Sequence, residues 1–175
     1  MAKTSNPAVQ VAKAFRRNIA SEPITLSTGD KAFIRPVTVA VVDAATSKVK
    51  DPEVPIWHNP EKDRDEENPS DPKYLRELSE TGRKRGMAAF DVLIMFGVEL
   101  VDGVPDKAKW LGKLKLMERQ ELLDLKTYDL EDAIDLEFLY KKYIAVDNSI
   151  IGLVGEVSGI TAEDITTAED SFPGT

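Results

Sequence analysis

His58 is the only histidine in the chain, so acid–base or nucleophilic machinery of the Ser/His/Asp kind would have to run through it. It follows Trp57 in a proline-rich stretch, where rigid positioning is poor, and it reads as a solvated loop residue rather than a catalytic or metal-binding group. Downstream, Asp63, Asp65, Glu66 and Glu67 space their carboxylates as a calcium loop would. The segment DRDEENPSDPKY, however, puts Asn68 where that loop needs glycine and Tyr74 where it needs the closing glutamate, so a solvated acidic linker accounts for them. Asp129, Glu131, Asp132 and Asp135 lie close on one helix and could hold a hard cation, but helix capping explains them more simply. The basic triplet is Arg83, Lys84 and Arg85. Without interleaved aromatics it reads as a solvated helix face or a dock for an acidic partner segment, not as a nucleic-acid site. No cysteine is present, which removes thiol nucleophiles, thiolate metal sites and disulfides and is compatible with a reducing cytoplasm. Neither GxGxxG, GxxxxGK[ST] nor HExxH occurs, so the expectation is no catalytic residue, no cofactor and no metal.

The elements that would have to position such groups are bounded by composition. A chain of 175 residues supports one domain of ordinary size, or a small domain with arms. It is 42% apolar and 31% charged, against about 45–50% and 25% for typical globular chains, so the core is modest and ordered and loose segments should coexist. The formal net charge is −8, with the acidic excess concentrated after residue 120 and a mildly basic middle. Such a surface repels nucleic acid overall while leaving room for a basic protein partner. No apolar run approaches the roughly 18–20 residues that cross a bilayer, and the opening MAKTSNPAVQVAKAFRRN lacks the apolar stretch of a secretory signal. The expectation is neither an integral membrane nor an exported protein.

Along the chain, residues 1–22 form an arm in which Val9, Val11, Phe15 and Ile19 are too irregularly spaced to assign. Residues 23–42 alternate apolar and polar on both sides of a Ser27–Asp30 turn, which predicts a β hairpin whose second strand is an edge or is broken at Pro36. Residues 43–70 are acidic and punctuated by Pro52, Pro55, Pro60 and Pro69, and predict an extended connector. Val54, Ile56 and Trp57 would anchor it to a folded surface or a partner. Residues 71–170 predict a helical domain. Asp71–Pro72 is a helix start, with Glu80 placed four before Lys84. Gly82 and Gly86 weaken the middle and make a kink near Gly86 conceivable, and Met87–Leu100 reads as a buried helix. The next helix turns Trp110, Leu111, Leu114 and Met117 inward. Further helices are expected over Leu130–Tyr143, capped by Asp129, and around Ile150–Val157, ending at Gly159. Thr161 and Asp164 form a capping box with Ile160 and Ile165 as its staple, and residues 171–175 are a tail. The fold class is α+β: a small N-terminal β hairpin, an extended acidic connector and a mainly α-helical C-terminal domain.

The stretch NPSDPKYLRELSETGRKRGMAAFDVLIMFGVEL, preceded by VPIWHNPEKDRDEE and followed by VPDKAKWLGKLK, resembles the tail assembly chaperones, or tail assembly proteins, of long-tailed (siphovirus-type) bacteriophages. The shared features are the hairpin ending in a proline-valine strand, the acidic connector and the DPxYL helix start. An arginine-rich turn before an apolar helix, a tryptophan in the next helix and the ending GITAEDITTAEDSF complete the likeness, which spans residues 23–172. It implies a non-enzymatic virion morphogenesis factor of the host cytoplasm that holds the tape measure protein or a tail tube subunit until assembly. Such a binder needs an apolar groove and a charged exterior. On this reading the partner-binding residues are Trp57, Tyr74, Leu78, Arg83, Lys84, Arg85, Trp110 and Leu114, with Phe90 and Phe96 at the same surface or in the core beneath it. The alternative is a structural virion component, such as a head-tail connector or minor tail protein. A small hydrolase working through acidic residues is the third and weakest reading, because paired carboxylates act only at a fixed separation.

Overall fold

A computed structural model describes residues 22–160. The N-terminal arm and the Thr161/Asp164 capping box lie outside the described residues. Strands Ile24–Thr25 (β1) and Lys31–Ile34 (β2) pair antiparallel across the expected turn, where Gly29 adopts φ 90°, a conformation that only glycine takes without steric cost. The hairpin is shorter than the sequence predicts. β2 stops at Ile34, two residues before Pro36, whose missing N–H cannot extend a ladder. Instead of continuing the strand, Val39–Thr46 forms a helix (α1). Alternating valines mimic a strand period, but with Ala40, Ala44 and Ala45 the segment is equally apolar on a helical period, and packing decides.

Residues 43–70 are not a single extended tether. α1 reaches Thr46, and Ile56–Asn59 (β3) and Arg64–Glu67 (β4) make a two-stranded antiparallel ribbon with Trp57 opposite Glu66 and His58 opposite Asp65. The prolines permit it because Pro55 precedes β3, Pro60 opens the turn and Pro69 follows β4, so none deletes a ladder donor.

Helix Pro72–Gly97 (α2) starts where expected: Asp71 Oδ1 accepts from the N–H groups of Lys73 and Tyr74 at 2.8 and 3.0 Å, with Pro72 in the first turn. Its 26 residues pass Gly82 and Gly86 without a break, a span of about 39 Å. It ends at Gly97 rather than Leu100, because Val98–Leu100 (β5) turns into a strand that pairs with β2, Ile34 opposite Val98 and Ala32 opposite Leu100. The sheet order is therefore β1-β2-β5, which puts β2 in the centre despite Pro36.

Lys107–Arg119 (α3) follows, capped by Asp106. Ala133–Tyr140 (α4) is capped by Asp132, not by Asp129, and continues as a π-helical turn over Lys141–Ala145. Asp129 instead closes its own turn, its carboxylate accepting from Glu131 N–H and its N–H donating to Asp135. Asn148–Ser158 (α5) is capped by Asp147 and stopped by Gly159 at φ 72°, the left-handed cap that ends helices.

The fold is α+β, mainly helical with two small antiparallel sheets. Ala32 and Ile34 from β2, Leu93 from α2, Leu114 from α3, Leu139 from α4 and Val154 from α5 belong to one hydrophobic cluster. The N-terminal hairpin thus shares its core with the helices. Among the described residues no helix is long and apolar enough to cross a membrane.

Candidate partner-docking surface

The sequence-predicted contact residues fall into two groups. Trp110 is 2% exposed and Leu114 fully buried. The Trp110 indole N–H donates to the Leu136 carbonyl at 3.3 Å, and its ring meets Tyr140 edge-on with centroids 5.5 Å apart. Both residues are core and cannot dock a partner, and Leu78 is buried as well. Helical periodicity identifies the apolar face of α3 but not whether that face is already covered. Arg85 is also committed internally: its Nε and Nη2 donate to the Val49 carbonyl at 3.1 and 2.9 Å, and its Nη1 pairs with Asp51 at 2.9 Å. It straps the segment after α1 onto α2. Arg83, Lys84 and Trp57 remain exposed, and Tyr74 is half-buried.

Exposed apolar side chains concentrate around the C-terminal half of α2. The chain enters α1 beside the end of α2, where Arg35 N–H donates to the Gly97 carbonyl, and leaves it beside Arg85. α1 therefore runs antiparallel along α2. Met87 (50% exposed), Phe90 (39%) and Phe96 (56%) on α2 and Val39 and Val41 on α1 all face solvent. Arg83, Met87 and Phe90 follow an i, i+4, i+7 spacing and share one face of the helix. On the other flank the π turn exposes Tyr143 and Ile144, and Lys142 holds it to α2 through Asp91 at 2.7 Å. Lys141 is buried and caps the end of α2, donating to the carbonyls of Met95 and Val98 at 3.2 and 2.8 Å while pairing with Glu137 at 3.2 Å. The sequence places this lysine near the end of a helix, where its charge suits the macrodipole, and gives no sign that it is buried. Burying a phenylalanine or methionine side chain completely is worth roughly 1.5–3 kcal/mol, so several held open on adjoining elements mark an interaction surface.

The β3–β4 ribbon adds a second apolar feature. Ile56 is 70% exposed and Trp57 45%, and as neighbours in a strand they point to opposite faces. His58 links the strands through Asp65 at 3.1 Å and reaches Asp63 at 3.5 Å, so its partners are cross-strand ties on an open surface. Glu66 gathers Asn59, Lys62 and Arg64, whose hydrogen bonds, that of Asn59 foremost, hold its carboxyl below the usual range. A lone two-stranded ribbon is marginal in water unless something packs on it.

A polar cleft of about 240 Å³ lies between the β1–β2 turn and the loop before α3, lined by Gly29, Asp30, Lys31, Asp102, Gly103 and Pro105. Its Asp30 carboxylate accepts from the Thr28 and Tyr140 hydroxyls through one oxygen, both at 2.6 Å. Burial, with Asp30 adding to it, pushes the Tyr140 hydroxyl up to about 12. That pair acts as a latch between the hairpin turn and α4. Among the described residues no group of three His, Cys, Asp or Glu side chains is arranged to hold a metal ion. The chain matches no protein-family model, no curated protein and no solved structure.

Proposed function

We propose that this protein is a non-enzymatic phage tail morphogenesis factor that binds the tape measure protein or a tail tube subunit in the host cytoplasm. The resemblance of its helix start, arginine-rich turn and apolar helix to tail assembly chaperones supplies the class of client. The observation that supports binding most is the uncovered pair Met87 and Phe90, one turn apart on one face of α2. A helical client lays its apolar face on such a surface, and Arg83 and Lys84 at its edge favour acidic client residues. The ribbon, with Trp57 at its base, gives a second point of contact.

Co-expression tests the reading. The wild-type protein raises the fraction of soluble tape measure or tube protein and is captured with it, whereas Met87→Asp/Phe90→Asp loses capture while keeping its own unfolding midpoint. No association of the purified proteins at low or moderate salt defeats the proposal. Mass spectrometry of purified particles separates it from the virion-component reading: an assembly factor is absent from mature particles, and a stoichiometric presence replaces it with a structural role.

A further inference from the structure

One hydrogen bond fixes which backbone groups of the β3–β4 ribbon face outward. Asn68 N–H donates to the Pro55 carbonyl at 2.8 Å, and bonded pairs alternate along an antiparallel ladder, so Trp57–Glu66 and Asn59–Arg64 are the bonded pairs of the ribbon. Ile56, His58, Asp65 and Glu67 therefore turn their N–H and C=O groups away from the ladder, the first two along β3 and the last two along β4. Among the described residues none of these backbone groups has a hydrogen-bond partner. Such a row is a template for a further strand. Two strands alone are marginal in water, and independent stability needs a third strand or a covering helix.

Charge selects both the edge and its occupant. Cross-strand partners share a face, so Asp65 and Glu67 lie on the face of His58 and Ile56, where Ile56 is 70% exposed. Lys62 and Arg64, the nearest cations in sequence, are both taken up by Glu66, whose side chain lies on the opposite face, at 3.0 and 2.6 Å. On the open face Asp65 pairs with His58, and Glu67 makes no ion pair among the described residues. A second copy of β4 laid antiparallel on this edge would set these carboxylates against one another, and like charges directly opposite are destabilising. We propose that an extended basic segment of a partner protein adds to the outer edge of β4 as a third, antiparallel strand, with lysine or arginine at alternate positions opposite Asp65 and Glu67. Main-chain bonds supply the grip and the two carboxylates the selectivity. The α2 surface takes no part, so this strand addition stands or falls independently of the tape measure reading.

Amide hydrogen exchange on the isotopically enriched full chain tests this, with a synthetic peptide alternating lysine and threonine as the probe. Millimolar peptide at low salt should slow exchange at Asp65 and Glu67 several-fold and leave Ile56 and His58 unchanged, because only the first two amides face the new strand. The same peptide N-methylated at its lysines keeps the charge but cannot donate to the ladder, and should protect neither amide. Asp65→Asn/Glu67→Gln removes two cross-strand charge pairs and should weaken binding about fivefold, with the Trp57 and Glu66 amide shifts reporting that the ribbon persists. Unchanged exchange at Asp65 and Glu67 overturns the proposal, as does equal protection by the N-methylated peptide or protection of Ile56 and His58 instead. Protection that grows with protein concentration in the absence of peptide overturns it in favour of a second copy as the occupant.

Discussion

Trp57 and Trp110, the only tryptophans, occupy opposite environments. Trp110 fills the core with its N–H satisfied by Leu136 and its ring edge-on to Tyr140. Trp110→Ala removes that volume and should cost about 3–5 kcal/mol, whereas Trp57→Ala, on a half-open ribbon, should stay within about 0.5 kcal/mol; urea unfolding of the two variants compares them. Tyr140 carries the second residue-scale prediction. Its folded pKa, pushed by burial to about 12, exceeds the ordinary tyrosine value of 10.0, so the folded state keeps a proton that the unfolded chain releases. The resulting stability is complete below pH 10 and is lost as pH rises towards 12. Tyr140→Phe abolishes that alkaline decline along with the Asp30 contact, which follows from urea midpoints across this window, and near-UV titration should lose its last-ionising tyrosine.

At the scale of elements, Gly82 and Gly97 of α2 should respond oppositely to alanine. Gly82 has open space where a Cβ would go, so Gly82→Ala should stabilise the helix by up to about 1 kcal/mol. At Gly97 the new Cβ would overlap Val154 of α5, and Gly97→Ala should cost about 1–3 kcal/mol through overpacking. Urea midpoints at constant slope measure both. Local chemistry was enough to place the start of α2, because Asp71 and Pro72 act on their own first turn, and the end of α5 at Gly159. It misplaced α1 and β5, since Val39–Thr46 and Val98–Leu100 take their form from neighbours distant in sequence. It also missed the ribbon, whose prolines are harmless only because of the register in which β3 and β4 pair.

For the whole molecule, the shared core makes the N-terminal hairpin indispensable. A fragment beginning at Asp71 retains every helix from α2 onward but strips β2 from beside β5 and removes Leu26, Ala32, Ile34 and Val37 from the cluster. It should show no cooperative unfolding transition by circular dichroism, while the full chain melts in one step. A sharp transition in the fragment would mean that the helices hold a core of their own. The docking reading belongs to this scale too, because it depends on which parts of α2 the rest of the chain leaves open.

Sequence alone determined the α+β class, the caps at Asp71 and Gly159, and the inward face of α3, because each depends on residues within a turn or two of one another. Tertiary structure alone decided that Trp110 and Leu114 are core while Met87, Phe90 and Phe96 face solvent, and that Arg85 is bound while Arg83 and Lys84 are exposed. An apolar or charged side chain carries the same local signal whether or not another element covers it. Coverage is a property of the assembled chain, fixed by where α1, the π turn and α5 come to rest against α2.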